Sequence, residues 1–167
     1  FDWWILRVKS QLELVDILRI DHFRGFEAFW SVPYGESTAI NGEWIKAPGM
    51  KLFSAITAEL GDGLPIIAED LGVITPEVEA LRDAFAFPGM KILQFAFDNL
   101  GEDKFHPHNF DTKNCVCYTG THDNDTTAGW FETLPWEPKQ KVCRYLNLKD
   151  GEGIHWGLIR ASLASIA

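Results

Sequence analysis

The chain has 167 residues, and 46% of them are hydrophobic, which is ample for the core of an ordinary domain and excludes an intrinsically disordered protein. Its formal net charge of −9 argues against a nucleic acid or an anionic membrane as a partner, because either would require a basic patch. No apolar run approaches the roughly 20 residues that a membrane-spanning helix needs.

The cysteine pattern constrains the chemistry further. Cys115, Cys117 and Cys143 are odd in number and include no Cys-x-x-Cys pair. This pattern predicts neither a disulfide framework nor a zinc ribbon, and it favours a reducing compartment.

Hydrophobic periodicity predicts helices alternating with strands. Phe1 to Leu14 and residues 159–167 have apolar residues at helical spacing, and both patterns are cut by the ends of the sequence, so we expect a fragment of a longer protein. Strands are predicted near 16–20, 65–69, 91–97 and 116–121, and further helices near 51–60, 76–86 and 137–146. Near-continuous apolar strands of this kind indicate a parallel sheet covered on both faces.

The first predicted strand runs directly into a charged cluster. Alternation along a strand places Arg19 and Asp21 on one face, so that the guanidinium can hydrogen-bond the carboxylate and keep it ionised in a pocket. Such a carboxylate could act as a nucleophile or as an anionic stabiliser, although an Asp-Arg pair at a strand end can equally be structural.

The other predicted strands also end in acids. Glu69 closes the strand near 65–69, Asp98 follows the run 91–97, and His122 and Asp123 follow the run 116–121. Glu69 with its neighbour Asp70 could also be a helix-capping acid pair. The recurrence at strand ends favours a shared site over isolated structural acids.

Two further local features can be placed from turn and capping chemistry. Ser31 to Met50 is a long loop rich in proline and glycine, and it carries Trp44 as an exposed aromatic candidate for substrate contact. Thr75 is predicted as the N-cap of the helix that has Pro76 at its first position.

These elements predict an α/β protein with a (β/α)8 TIM-barrel architecture. Residues 1–167 would supply about four βα units of the catalytic barrel, about strands 4 to 7, with the inserted loop near 31–50. A doubly wound open sheet is the competing fold, but that fold usually carries a glycine-rich phosphate loop, and no Gly-x-Gly-x-x-Gly or Walker sequence occurs here.

In a parallel barrel the carboxyl ends of all strands meet at one rim, so Asp21, Glu69, His122 and Asp123 would converge. Several acids in one pocket indicate glycosidic chemistry, because retaining cleavage needs a carboxylate nucleophile and a carboxylic acid about 5 to 5.5 Å apart. Asp21, beside Arg19, suits the nucleophile, and Glu69, in an apolar run that favours the neutral acid, suits the proton donor.

Three motifs resemble a known family: Arg-Ile-Asp-His-Phe-Arg-Gly from Arg19, Ala-Glu-Asp-Leu-Gly from Ala68, and Thr-His-Asp-Asn-Asp-Thr from Thr121. The chain is similar, over nearly its whole length, to the 4-α-glucanotransferases of glycoside hydrolase family 77. Supporting segments include Trp44-Ile-Lys-Ala-Pro-Gly and Phe87-Pro-Gly-Met-Lys-Ile-Leu-Gln-Phe-Ala-Phe.

The resemblance implies that Asp21 is the nucleophile, Glu69 the general acid/base and Asp123 a third carboxylate that binds sugar hydroxyls. It also implies that Arg19 and His122 line the subsite on the non-reducing side of the cleaved bond. The partners would be an α-1,4-glucan donor and an α-1,4-glucan acceptor, with no metal and no organic cofactor. The implied compartment is a bacterial cytoplasm, or a plastid if the source is a plant.

Three alternatives remain at this level. An α-amylase-type hydrolase would share the three acids and pass the sugar to water, and a silent glucan-binding module would bind without turnover. A metal-dependent barrel hydrolase would need a ligand set, for which His106-Pro107-His108 is the nearest candidate, although it lies in a polar stretch and not at a strand end.

Overall fold

The protein is described by a computed structural model that covers residues 1–97 and 103–167. The chain divides into two compact units, Phe1–Gly89 and Met90–Ala167. Both units contain helices and strands, which confirms the α/β class. Among the described residues, no helix has the length and apolar character needed to cross a membrane.

The first unit contains helices α1 to α3 and strands β1 to β4. In chain order they are α1 (Asp2–Leu12), β1 (Leu18–Ile20), β2 (Ala28–Ser31), β3 (Glu43–Lys46), α2 (Gly49–Leu60), β4 (Ile66–Ala68) and α3 (Pro76–Ala84). A short 3-10 turn, Phe23–Phe26, follows β1. The predicted strands near 16–20 and 65–69 and the predicted helices near 51–60 and 76–86 are therefore confirmed, with boundaries shifted by a few residues.

Strands β1 and β4 are parallel neighbours, as the apolar runs predicted. Arg19 pairs with Ile67 and Ile20 with Ala68. The ladder continues past both strands, because the Glu69 N–H donates to the Ile20 carbonyl at 2.9 Å. Asp21 and Glu69 therefore leave the paired strands at the same end.

A cluster of aromatic rings fills the core of this unit. Phe23 and Phe53 are stacked with ring centres 5.5 Å apart, and Phe87 meets Phe53 edge-on at 5.4 Å. All three side chains are buried. Because Phe23 lies in the turn directly after β1, burial of its ring ties the end of β1 to the core.

The predicted loop from Ser31 to Met50 is wrong in part. Strand β3 lies within it and pairs antiparallel with β2, with Trp30 directly opposite Trp44. All four residues of β3 are exposed, so the alternation of buried and exposed residues that identifies a strand is missing there. Trp44 is 50% exposed, as predicted.

Helix α3 begins as predicted, with Thr75 as its N-cap residue and Pro76 in its first turn. Thr75 has the extended backbone of an N-cap residue, yet its side chain makes no capping hydrogen bond. Its hydroxyl instead bonds Glu77 and lowers the pKa of that carboxyl group. The prediction that Thr75 is the N-cap residue is therefore confirmed, and its hydroxyl contacts the first turn through the Glu77 carboxylate.

The second unit begins within β5 and holds the remaining elements. They are β5 (Gly89–Ile92), β6 (Cys115–Tyr118), α4 (Thr127–Thr133), α5 (Trp136–Leu146) and α6 (Ile154–Leu163), and β5 and β6 are neighbours in a two-stranded sheet. Leu93, Val142 and Leu158 are fully buried in its core. The predicted helix near 137–146 is confirmed by α5.

Three predictions for this unit need correction. The run 91–97 is a strand only to Ile92 and continues as a 3-10 turn, Leu93–Phe97, in which buried Leu93, Gln94 and Ala96 do not alternate as strand residues would. The predicted helix 159–167 begins earlier and ends at Leu163. The run 116–121 is a strand only to Tyr118. Asp98 lies outside the described residues.

An ion pair in the connection between α5 and α6 should make the stability of the fold depend on pH in the acidic range. Glu152 forms an ion pair with Arg160, which also donates to the Leu146 carbonyl at 2.7 Å. The hydrogen bond from Arg160, followed by that from the Lys149 N–H, lowers the pKa of Glu152. A lowered pKa in the folded state means that this carboxylate stabilises the fold above its ordinary value of 4.5.

We therefore expect that stabilisation to be lost as the pH falls through the lowered folded-state pKa. Glu152→Gln should reduce the melting temperature at neutral pH and make its decline on acidification shallower. Melting curves between about pH 7 and about pH 3 measure this, with Glu59→Gln on the exposed surface of α2 as the control. An unchanged slope in Glu152→Gln would contradict the account.

Candidate active site

The carboxyl end of β1 presents the first predicted pair. Arg19 Nη2 lies 2.6 Å from Asp21 Oδ1, so the two side chains share one face of the strand as the sequence predicted. Both line a cavity of about 360 Å³ beside α1 together with Trp4 and Phe26. The Asp21 side chain is 60% exposed, so its contact with the guanidinium and not deep burial defines its surroundings.

The chain turns sharply directly after Asp21. His22 has a left-handed backbone conformation with φ 49° and ψ 52°. A residue with a Cβ atom adopts this conformation at a cost of about 1–2 kcal/mol, so other contacts must offset it. The turn directs the His22 N–H toward Glu69, and the Phe23 N–H toward the Glu69 carbonyl at 3.0 Å.

Glu69 is held through both carboxylate oxygens. Oε2 accepts from the His22 N–H at 2.6 Å, and Oε1 accepts from the Leu71 N–H at 3.0 Å. The run before Glu69 is apolar as predicted, with Ile66 and Ala68 buried, but two backbone donors face the carboxylate itself. These bonds fix the carboxylate at the end of β4, adjacent to the end of β1 that carries Asp21.

Asp70 has a separate, structural role. Its carboxylate is 8% exposed and forms an ion pair with Arg82 of α3. Burial alone would lower the pKa of Arg82, but hydrogen bonds to Asp83 and Asp70 outweigh burial and raise it. Gly89 packs against this carboxylate, where a Cβ atom would collide with Asp70 Oδ2. Asp70 is thus anchored in an ion pair with α3 and is not a helix cap.

Trp44 lies on the hairpin of β2 and β3, in the same unit as Asp21 and Glu69. Its ring meets that of Trp30 edge-on, with centres 5.4 Å apart. The guanidinium carbon of Arg24 lies 4.0 Å from the centre of the Trp44 ring. Trp44 is therefore positioned by side-chain contacts although half of its surface is exposed.

The second unit holds His122 and Asp123 at the tip of a tight turn after β6. Asn124 Oδ1 accepts hydrogen bonds from the Thr121 N–H at 2.9 Å and from the Thr121 hydroxyl at 3.0 Å. His122 Nε2 lies 3.3 Å from Asp123 Oδ1, and both side chains are largely exposed. Hydrogen bonds within the turn thus leave these two side chains available to a ligand.

The buried side chain of Gln94 binds the backbone of the segment that follows this turn. Its Nε2 atom donates to the Asp125 carbonyl at 3.1 Å, and its side chain is 2% exposed. A Cβ atom at Gly120 would lie 2.6 Å from the same Nε2 atom. The glycine therefore allows the amide to approach the backbone of the turn.

The structure thus assembles the predicted residues in two groups. Arg19, Asp21, Glu69 and Trp44 belong to the first unit, and His122 and Asp123 belong to the second. The convergence of all three acids stays a prediction.

Sequence reasoning missed two supporting residues, Arg24 and Gln94. A buried charged or amide side chain in an apolar segment is the signal that could have identified them, because such groups need specific partners.

The histidine pair considered for a metal has another environment. His108 Nδ1 lies 2.8 Å from the Tyr145 hydroxyl. Within residues 1–97 and 103–167, no cluster of three or more histidine, cysteine or acidic side chains is arranged to hold a metal ion.

These groups define an α/β protein that presents carboxylates at the ends of its strands, beside basic and aromatic side chains. The sequence profile of glycoside hydrolase family 77, described as 4-alpha-glucanotransferase, matches residues 1–167. The chain belongs to this family.

Curated relatives agree with the family. A 4-alpha-glucanotransferase of Synechocystis sp. is 60% identical over all of this chain and 33% of its own length. The 4-alpha-glucanotransferase of Clostridium butyricum is 56% identical over 100% of this chain and 34% of that protein. The chloroplastic/amyloplastic enzyme of Solanum tuberosum is 50% identical over 100% of this chain and 29% of that protein. The chain thus spans about a third of the length of these relatives.

A solved structure agrees as well. The amylomaltase of Streptococcus agalactiae in complex with acarbose matches with a TM-score of 0.92 and 44% identity, over 99% of this chain and 33% of that one.

The contact between Gly120 and Gln94 generates a test of the second group. Gly120→Ala should lower the free energy of unfolding by about 1–3 kcal/mol, because the new methyl group displaces the buried amide. Denaturant unfolding measures the loss, and Gln94→Ala provides the matched background. If the collision is with Gln94, Gly120→Ala should cost clearly less in that background; an equal cost in both would contradict the assignment.

Proposed function

We propose that this chain is part of a 4-alpha-glucanotransferase that moves α-1,4-glucan segments between maltooligosaccharides or starch- and glycogen-type glucans. In this proposal residues 1–167 supply about strands 4 to 7 of a catalytic (β/α)8 barrel. The observation that carries it is the pair of neighbouring strand ends in the first unit, where Asp21 contacts Arg19 and Glu69 is fixed by the backbone after Asp21. Family membership supports the same assignment.

The first step of the proposed reaction is the attack of Asp21 on the anomeric carbon of the donor. The bond from that carbon to the glycosidic oxygen breaks, and Glu69 gives its proton to the departing oxygen. A covalent β-glycosyl-enzyme results. Arg19 supports this role, because its hydrogen bond to Asp21 Oδ1 orients the carboxylate and leaves the other oxygen to attack.

The second step reverses the chemistry with a new partner. Glu69, now ionised, takes the proton of the 4-hydroxyl of an acceptor glucan, and that oxygen displaces Asp21 from the anomeric carbon. Two inversions give net retention. Transfer to a sugar instead of water distinguishes this enzyme from an α-amylase-type hydrolase.

The remaining predicted residues have binding roles in the proposal. Asp123 binds sugar hydroxyls of the distorted ring as the third carboxylate, and Arg19 and His122 line the subsite on the non-reducing side. Trp44 offers an exposed ring on which a glucose unit can stack. Because carboxylates supply the nucleophile and the proton, the chemistry requires no metal or organic cofactor.

Two of the relatives support the substrate class and the compartment. The amylomaltase of Streptococcus agalactiae was solved in complex with acarbose, which supports a sugar-like ligand for the proposed site. The potato relative is described as chloroplastic/amyloplastic, which supports a plastid if the source is a plant. A bacterial source would place the protein in the cytoplasm, the reducing compartment that the cysteine pattern favours.

Maltotriose disproportionation by the full-length protein tests the proposal. The wild type should form glucose and longer glucans without a net gain of reducing ends, and Asp21→Asn and Glu69→Gln should each lower the rate at least about 10²-fold. Asp62→Asn and Glu59→Gln, which make the same changes at exposed positions, should retain the wild-type rate. Melting temperatures show that each variant is folded.

Three results would count against the proposal. A net gain of reducing ends would indicate hydrolysis, glucan binding without turnover would indicate a binding module, and full activity in Asp21→Asn or Glu69→Gln would contradict the assigned roles.

A further inference from the structure

We propose that Arg24 is a positioning residue that couples the hairpin carrying Trp44 to the loop that follows Glu69. The proposal deepens the function proposed above and rests on it. Arg24 lies in the 3-10 turn Phe23–Phe26, which begins two residues after Asp21. It therefore acts through its neighbours and has no assigned contact with the sugar.

The first contact of Arg24 is with the loop after β4. Nη1 donates to the Val73 carbonyl at 2.6 Å. The segment from Glu69 to Val73 is irregular, and Gly72 within it has φ 84°. The hydrogen bond from the Leu71 N–H to Glu69 holds the beginning of this loop. The bond from Arg24 to the Val73 carbonyl holds its end.

The second contact is with the hairpin of β2 and β3. The Arg24 guanidinium carbon lies 4.0 Å from the centre of the Trp44 ring, a distance that defines a close cation–π contact. Trp44 pairs with Trp30 across the hairpin, so the guanidinium contacts a ring whose strand is itself held in register. One planar side chain thus joins two segments that are distant in sequence.

The burial of Arg24 supports a role in positioning. Its side chain is 8% exposed, and among the described residues its buried Nε atom has no hydrogen-bond partner. A buried donor without a partner lowers stability by about 1–3 kcal/mol, so packing alone is a poor explanation for arginine here. A guanidinium matches the geometry, because it can donate to a carbonyl and stack on a ring simultaneously.

The two contacts predict separate kinetic effects. Arg24→Lys retains a charged donor for the Val73 carbonyl but loses the planar stack on Trp44. We expect kcat to stay within about threefold of wild type and KM for maltotriose to rise about 3- to 10-fold, because the stacking contribution is lost. Arg24→Met loses both contacts, and displacement of the loop after Glu69 should lower kcat about 10- to 100-fold.

The experiment measures kcat and KM for maltotriose in the full-length protein, with Arg144→Lys as the matched control. Arg144 is an exposed arginine whose Nε atom donates to the Gln140 carbonyl at 3.2 Å. Arg144→Lys should have the kcat and KM of the wild type. Hydrogen exchange should be faster at residues 43–46 and 71–75 in Arg24→Met, and faster only at 43–46 in Arg24→Lys.

A double-mutant cycle tests the coupling itself. Arg24→Lys should raise KM little further in a Trp44→Leu background, because the ring that it stabilises is gone. Additive effects would overturn the proposal, and so would wild-type kcat, KM and exchange in folded Arg24→Met. If Arg24→Met does not fold, the exchange pattern and the cycle with Arg24→Lys decide.

The experiment distinguishes a failure of the proposed function from a failure of the positioning role of Arg24. If the wild type and Arg144→Lys form no longer glucans from maltotriose, the proposed function is wrong. Hydrogen exchange in Arg24→Lys and Arg24→Met then still shows whether Arg24 couples the two segments. If the wild type is active and the Arg24 variants match it in kinetics and exchange, only the positioning role is wrong.

Discussion

The first unit depends on the way in which the chain after β1 binds the end of β4. The His22 N–H donates to the Glu69 carboxylate and the Phe23 N–H to the Glu69 carbonyl, at 2.6 Å and 3.0 Å. The Phe23 N–H reaches the Glu69 carbonyl through the left-handed conformation of His22, which is unfavourable by itself. Burial of the adjacent Phe23 ring in the aromatic core offsets that cost, so core packing and site geometry are linked through two consecutive residues.

Two buried polar side chains near proposed site residues also need hydrogen-bond partners. Arg24 in the first unit and Gln94 in the second are nearly inaccessible, and each donates to a backbone carbonyl of an irregular segment. Burial of a polar group is tolerated when it is bonded, and a bonded buried group restricts the backbone it contacts. The backbone of these two segments is thereby restricted, while Asp123 in the second unit stays largely exposed.

The features that could be predicted from the sequence are those that follow from local patterns of neighbouring residues. Short parallel strands, a helix beginning at Pro76, contact between Arg19 and Asp21, and an exposed Trp44 all follow from local patterns. The hairpin of β2 and β3 was missed because no residue of β3 is buried, and the turn at 93–97 was missed because it is apolar without alternation. The bonds to Glu69 could not be predicted, because they come from backbone N–H groups, which every non-proline residue has.

Tertiary structure also determines which partner each polar side chain binds. Thr75 is the N-cap residue of α3, yet its hydroxyl donates to the Glu77 carboxylate and caps no helix N–H group. Asp70 stands beside Glu69 in sequence, yet it pairs with Arg82. Neighbouring acids can thus have different environments, and a motif alone does not say which of them is available for chemistry.

In the proposed reaction Asp21 is the nucleophile and Glu69 the proton donor and acceptor, and covalent trapping of the intermediate tests this division of roles. The full-length Glu69→Gln variant would be incubated with α-maltosyl fluoride, whose leaving group departs without a protein proton donor, and then analysed by peptide mass spectrometry. We expect a maltosyl ester on the peptide that contains Asp21, which accumulates because no base activates the acceptor, and no ester in Asp21→Asn/Glu69→Gln. An ester on another residue, or one that survives the loss of Asp21, would contradict it.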